Sequence, residues 1–185
     1  CTTRPDDKRV KVIAIPAAEM ADSVGTPKVA NVVMLGALCA ATLRLPLLEG
    51  DHFHSPASLA KMRSGAALTD DDRAAWLTTL AAALRGHPEG VVLTCSALKR
   101  AYRDQLRAAA ASLRFVFLDL TPDQARARVS ARPGHVFPAS LVDSQFQTLQ
   151  RPDAEPGVLT LDAMQSPQHL CEQVRDWLLA EKPHV

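Results

Sequence analysis

Three clusters of this chain combine residue types that move protons and hold anions. The first, Glu49-Gly50-Asp51-His52-Phe53-His54, sets a carboxylate beside two imidazoles, with Lys61, Met62, Arg63 and Arg73 following within two helical segments. Asp51 there suits orienting or deprotonating a hydroxyl while Lys61 and Arg73 hold an anionic group. A plainer reading makes Asp51 a turn cap, Lys61 a solvated charge and Arg73 a partner of the aspartates one turn away. His52-x-His54 has no second His or Cys pair at ligand spacing, so no metal site is expected.

The second cluster runs Thr94-Cys95-Ser96-Ala97-Leu98-Lys99-Arg100 into Tyr102-Arg103-Asp104. A small-residue turn opening a helix offers free N–H groups, and Lys99 and Arg103, four apart, share a face that can grip a carboxylate or phosphate. Alternatively Arg103 and Arg107 form that helix's solvated face. Cys95 has no base beside it and reads as a small buried thiol. In the third, Arg126, Arg128 and Arg132 precede Pro133-Gly134-His135. Arginines at a Gly hinge suit a lid closing over phosphates, against the alternative of a surface helix ending in a Pro-Gly turn. Gln145-Phe146-Gln147-Thr148-Leu149 says little alone.

These clusters need a scaffold, and the hydrophobic pattern supplies one. Continuous apolar runs at Val32-Val33-Met34-Leu35, 45–48, 91–94, 115–120 and 158–161 suit five strands buried on both faces of a parallel sheet. Helical signals separate them: Ser55-Pro56 opens one helix with Gly65 as its stop, and Thr69 caps the next ahead of Asp70-Asp71-Asp72. Leu77, Leu80 and Leu84 then recur at core spacing. Further helices are predicted at 98–111, 122–131 behind Thr121, 139–149, and 167–180 behind Ser166. Strand and helix alternate, so the class is α/β, and ligands belong at the carboxyl ends of the strands, where the polar clusters lie. Residues 1–28, rich in charge, Pro and small residues, read as a flexible leader in which Val10, Val12, Ile13 and Ile15 alternate too briefly to define a strand. The expected layout is this leader followed by one domain over 29–185, with a lid around 126–145.

Composition narrows the partners. With 21 basic and 20 acidic residues, the net charge of +1 produces no global pull toward nucleic acid or anionic lipid. Four cysteines without CxxC spacing point to a reducing, cytoplasmic setting, and no apolar run reaches the ~20 residues that span a bilayer.

Taken in order, Leu48-Glu49-Gly50-Asp51, Lys61-Met62, Leu68-Thr69-Asp70-Asp71-Asp72-Arg73, Trp76-Leu77, Cys95-Ser96-Ala97-Leu98-Lys99, Tyr102-Arg103-Asp104, Gly134-His135-x-Phe137 and Ser144-Gln145-Phe146-x-Thr148-Leu149 resemble the gluconokinase family. The resemblance implies a three-layer, nucleoside-monophosphate-kinase-like P-loop fold and transfer of the ATP γ-phosphoryl to D-gluconate with Mg²⁺. It further implies Asp51 as the base, and His54, Lys61, Arg73, Ser96, Arg103, His135 and Gln145 as gluconate contacts. Gly36, Arg128 and Arg132 fall on the nucleotide and lid side.

One part of the family pattern is missing. GxxxxGK[ST] should follow the first strand, its backbone N–H groups surrounding the phosphates. Here Val33-Met34-Leu35-Gly36 runs straight into Ala37-Leu38-Cys39, as though roughly ten residues had been removed. A parallel crossover wants about a dozen residues, and about eleven lie between the first two expected strands, so this crossover is predicted to be truncated and strained. Impaired ATP binding and turnover follow as the expectation. The alternatives are a non-catalytic gluconate-binding or dimer-forming role, and a kinase for a related sugar acid.

Overall fold

A computed structural model describes residues 11–16, 31–130 and 140–180. Its five strands, β1 (Lys11–Pro16), β2 (Leu47–Glu49), β3 (Val91–Thr94), β4 (Leu113–Asp119) and β5 (Val158–Asp162), form one parallel sheet in the order β2-β3-β1-β4-β5. Seven α-helices among the described residues accompany them: α1 (Asn31–Leu43), α2 (Pro56–Arg63), α3 (Asp70–Arg85), α4 (Arg100–Ala109), α5 (Pro122–Ser130), α6 (Ser140–Thr148) and α7 (Pro167–Ala180).

Period-two alternation divides each central strand between two cores. Val91 and Leu93 of β3 and Phe115 and Phe117 of β4 pack beneath α3 and α4, with Trp76, Leu80, Leu84, Tyr102 and Leu106. Val92, Val116 and Leu118 face the other way, onto Val32, Leu35 and Cys39 of α1 and Leu170 and Val174 of α7. The sheet is therefore the middle of three layers.

Local chemistry starts the helices where the sequence says it should. Ser55 Oγ accepts from Ser58 N at 3.1 Å ahead of Pro56. Thr69 and Asp72 form a reciprocal capping box at α3, Asp72 N to Thr69 Oγ1 at 3.2 Å and Thr69 N to Asp72 Oδ2 at 2.9 Å. Gly65, with φ of 77°, takes the left-handed conformation just past α2.

The N-terminal third differs from expectation. Lys11–Pro16 is the middle strand of the sheet, paired with β3 from Lys11↔Val91 and with β4 from Lys11↔Leu113, and so belongs to no leader. The run Val32-Val33-Met34-Leu35 is helical. An all-round apolar segment does not declare its period, and α1 is apolar because it lies between the sheet and α7. Gly36, expected on the nucleotide side, sits inside α1, where an added Cβ would come within 2.6 Å of Thr94 Cγ2 and 3.2 Å of Leu47 Cδ1. It lets helix and sheet approach closely. The first crossover is also not truncated: it runs from Pro16 to Leu47, and α1 with its 13 residues rises ~20 Å, enough to return along the sheet. Residues 17–30, which connect β1 to α1, lie outside the described residues.

Candidate functional site

β2 and β3 end side by side in parallel, with Glu49 opposite Thr94, so the segments that follow them emerge at one edge of the sheet. After β2 a 3-10 turn, Gly50–Phe53, carries Asp51 and leads to His54. Gly50 is required in that turn, because a Cβ would lie 2.5 Å from Thr94 O and 2.9 Å from Cys95 Cβ. Trp76 of α3 secures the same turn, its Nε1 donating to Gly50 O at 2.7 Å. Its indole stacks on the His54 ring with centroids 4.6 Å apart and planes 8° from parallel.

These groups wall a cleft of about 390 Å³, open mouth included. His54, Arg73, Trp76, Ser96, Ser144 and Gln145 supply its polar and aromatic lining, while Met62, Ala66, Ala67 and Leu68 close the side beneath α2. Two buried polar atoms here, His54 Nδ1 and Gln145 Oε1, have no partner among the described residues. An unmatched buried polar atom costs about 1–3 kcal/mol, so two on one cleft mark where ligand groups or water complete the bonding. Burial first, and the charge of Arg73 second, lower the His54 pKa to about 4, which leaves the ring neutral at physiological pH.

Four predicted contacts, His54, Arg73, Ser96 and Gln145, thus meet in one cleft. Lys61 is exposed and turned to Asp72, with Nζ–Oδ1 at 2.7 Å. That contact, after which come the bonds from Thr69, lowers Asp72 to about 2. Asp51 is partly buried and is not in the cleft lining; burial first, and the charge of Asp51 as a lesser cause, push the Cys95 thiol up to about 12. Cys95 is a buried free cysteine. Arg128, at the end of α5, donates to Ala163 O at 2.7 Å past β5. Arg132 and His135 lie outside the described residues.

Arg103 does not reach the cleft. It is wholly buried, and every N–H of its guanidinium meets an acceptor of the protein itself: Ala97 O, Leu98 O, Gln150 O and the Glu155 carboxylate. Nor do Lys99 and Arg103 share a ligand: Lys99 pairs with Asp70 at 2.6 Å, which also accepts from Tyr102 Oη at 2.5 Å. Sequence reasoning overlooked Trp76 and Ser144 as cleft residues. Trp76 carried a signal, being the one aromatic in a helix of Ala, Leu and Thr.

Among the described residues no three His, Cys, Asp or Glu side chains gather where a metal could be held. No helix among them is long and apolar enough to cross a membrane.

A parallel sheet of this order, with a cleft beyond the carboxyl ends of β2 and β3, has the α/β fold of the small-molecule P-loop kinases. An APS kinase of Mycobacterium tuberculosis shares that fold with a TM-score of 0.62 at 18% identity, covering 92% of this chain and 98% of that one. The chain is 42% identical over 131 residues to a gluconokinase of Gluconobacter oxydans strain 621H, covering 68% of this chain and 72% of that protein. A solved gluconokinase of Sinorhizobium meliloti 1021 matches with a TM-score of 0.76 at 30% identity, covering 95% of this chain and 99% of that one. The chain belongs to the gluconokinase family. A family model described as pyruvate ferredoxin/flavodoxin oxidoreductase also matches residues 2–61, well under half the chain.

Proposed function

We propose that the chain binds gluconate in the cleft between α2, α3 and α6 and transfers the ATP γ-phosphoryl group to it. The observation that carries this is the pair of unmatched buried atoms, His54 Nδ1 and Gln145 Oε1, on two residues that line the cleft together with Arg73 and Ser96. A polyhydroxy acid supplies hydroxyls to the unmatched atoms of His54 and Gln145 and to Ser96 beside them, and brings a carboxylate for the Arg73 charge.

In the reaction the terminal hydroxyl of the sugar acid attacks Pγ, the bond from Pγ to the β-phosphate oxygen breaks, and the hydroxyl proton passes to Asp51. Mg²⁺ supplies charge neutralisation on the phosphates when bound. The described residues do not furnish a site for it on their own, so its placement enters no step.

A second reading, binding without efficient transfer, is favoured by the composition of residues 17–30. This stretch between β1 and α1 contains Gly25 and Lys28 but no GxxxxGK[ST]. A coupled assay with gluconate, ATP and Mg²⁺, run beside calorimetry for each ligand, separates the two. Turnover above about 1 s⁻¹ establishes the kinase. Heat from gluconate with none from ATP establishes the binding role, and no heat from gluconate overturns both.

A further inference from the structure

Arg103, the largest fully buried side chain among the described residues, joins three separate segments. Its Nη1 donates to Ala97 O at 2.8 Å and Leu98 O at 2.9 Å, in the connection from β3 to α4. Its Nη2 donates to Gln150 O at 2.8 Å, just past α6, and to Glu155 Oε1 at 2.5 Å, while Nε donates to Glu155 Oε2 at 3.0 Å. Gln150 closes the joint from the other side: its N–H donates to Leu98 O at 2.9 Å and its Oε1 accepts from Arg100 N at 2.7 Å. Arg107 Nη2 holds the second oxygen of Glu155 at 2.8 Å.

The segments joined are the two polar walls of the cleft. Ser96 lies just before Ala97 and Leu98. Ser144 and Gln145 stand on α6, whose closing bond, Leu149 N to Gln145 O at 2.9 Å, leads directly into Gln150. The joint therefore sets the separation between Ser96 and Gln145. We propose that Arg103, clamped by Glu155, is a positioning residue for sugar-acid binding that holds the Ser96 and Gln145 walls in register and touches no substrate itself. A merely stabilising ion pair would not need this design, since buried pairs are often replaceable by packed apolar groups without loss. Three backbone carbonyls from two walls demand a planar fork of donors, which arginine has and lysine lacks.

The inference rests on the gluconate-binding reading, and the test separates the two. Gluconate affinity is measured by calorimetry and by Trp76 fluorescence in a Trp177→Phe background, for the unaltered chain, Arg103→Lys and Gln150→Ala, well below every melting midpoint. A displacement of about 1 Å in such a site costs up to ~100-fold, so Arg103→Lys is expected to weaken gluconate binding at least tenfold. Gln150→Ala, which keeps the backbone bonds and loses only the contact to Arg100 N, falls between the two. Should Arg103→Lys fail to fold, the Gln150→Ala result decides. Lowered melting midpoints with gluconate affinity within twofold of the unaltered chain would leave only a structural role and overturn the inference. Absence of gluconate binding by the unaltered chain overturns the underlying reading and this inference with it.

Discussion

His54 resists protonation because charging it means placing a cation in a buried stack beside Arg73. Its folded pKa, about 4, lies below the ordinary 6.5, so between those values the unfolded chain binds a proton that the folded chain refuses. Stability therefore falls as pH drops through this window and is fully retained above it. Between neutral pH and about pH 5 the contribution is on the order of 2 kcal/mol. Denaturant melts at the two pH values should show this loss in the unaltered chain and not in His54→Gln; equal pH dependence in both would refute the assignment. Of the cleft lining, Arg73 was legible from residue types as an anion holder, whereas His54, Ser96 and Gln145 were marked by the family resemblance. Arg103 misled because an arginine on a helix face looks the same in sequence whether its fork meets a ligand or the chain's own carbonyls, and its acceptors come from residues 97–155.

At the scale of elements, Gly36 shows how tightly α1 lies on the sheet. Alanine is favoured over glycine inside a helix by up to about 1 kcal/mol, so propensity alone makes Gly36→Ala stabilising. The new methyl would stand 2.6 Å from Cγ2 of Thr94, a buried residue in the strand at the middle of the contact. Overpacking of this kind costs about 1–3 kcal/mol and wins. Gly36→Ala should lower the melting midpoint, and Gly36→Ala/Thr94→Ser, which removes the opposing methyl, should restore it; a higher midpoint for the single variant would count against close packing. The helices α2, α3, α5 and α7 could be placed from sequence because caps punctuate them: Ser55, Thr69, Thr121 and Ser166 all accept from the expected N–H groups. Helix α1 has no such punctuation. Its continuous Val, Met and Leu run fits a buried strand as well as a buried helix, and only tertiary burial between the sheet and α7 decides. The short alternation of Val10, Val12, Ile13 and Ile15 is too brief to declare a strand alone, and only its pairing with β3 and β4 makes Lys11–Pro16 one.

For the whole molecule, the sheet order makes the first strand indispensable. β1 is bonded on both sides, to β3 over four residue pairs and to β4 over six. Removing residues 1–16 would split the sheet into β2-β3 and β4-β5, each half with a newly bare edge. The shortened chain is expected to lose cooperative thermal unfolding by circular dichroism; a sharp transition at the original midpoint would show that β1 is dispensable. The near-neutral net charge belongs to this scale too. With basic and acidic residues almost balanced, the proposed binding of gluconate relies on local charge such as that of Arg73 and not on the protein as a whole.

Because the central strand is synthesised first while its bonding partners begin at residues 91 and 113, it leaves the ribosome long before either exists. At roughly 5–20 residues per second, that wait lasts several seconds or more. During it an apolar segment stands without a neighbour, open to capture by chaperones or by other nascent chains. Yield in cells should therefore depend on translation speed and growth temperature as much as on the stability of the finished fold.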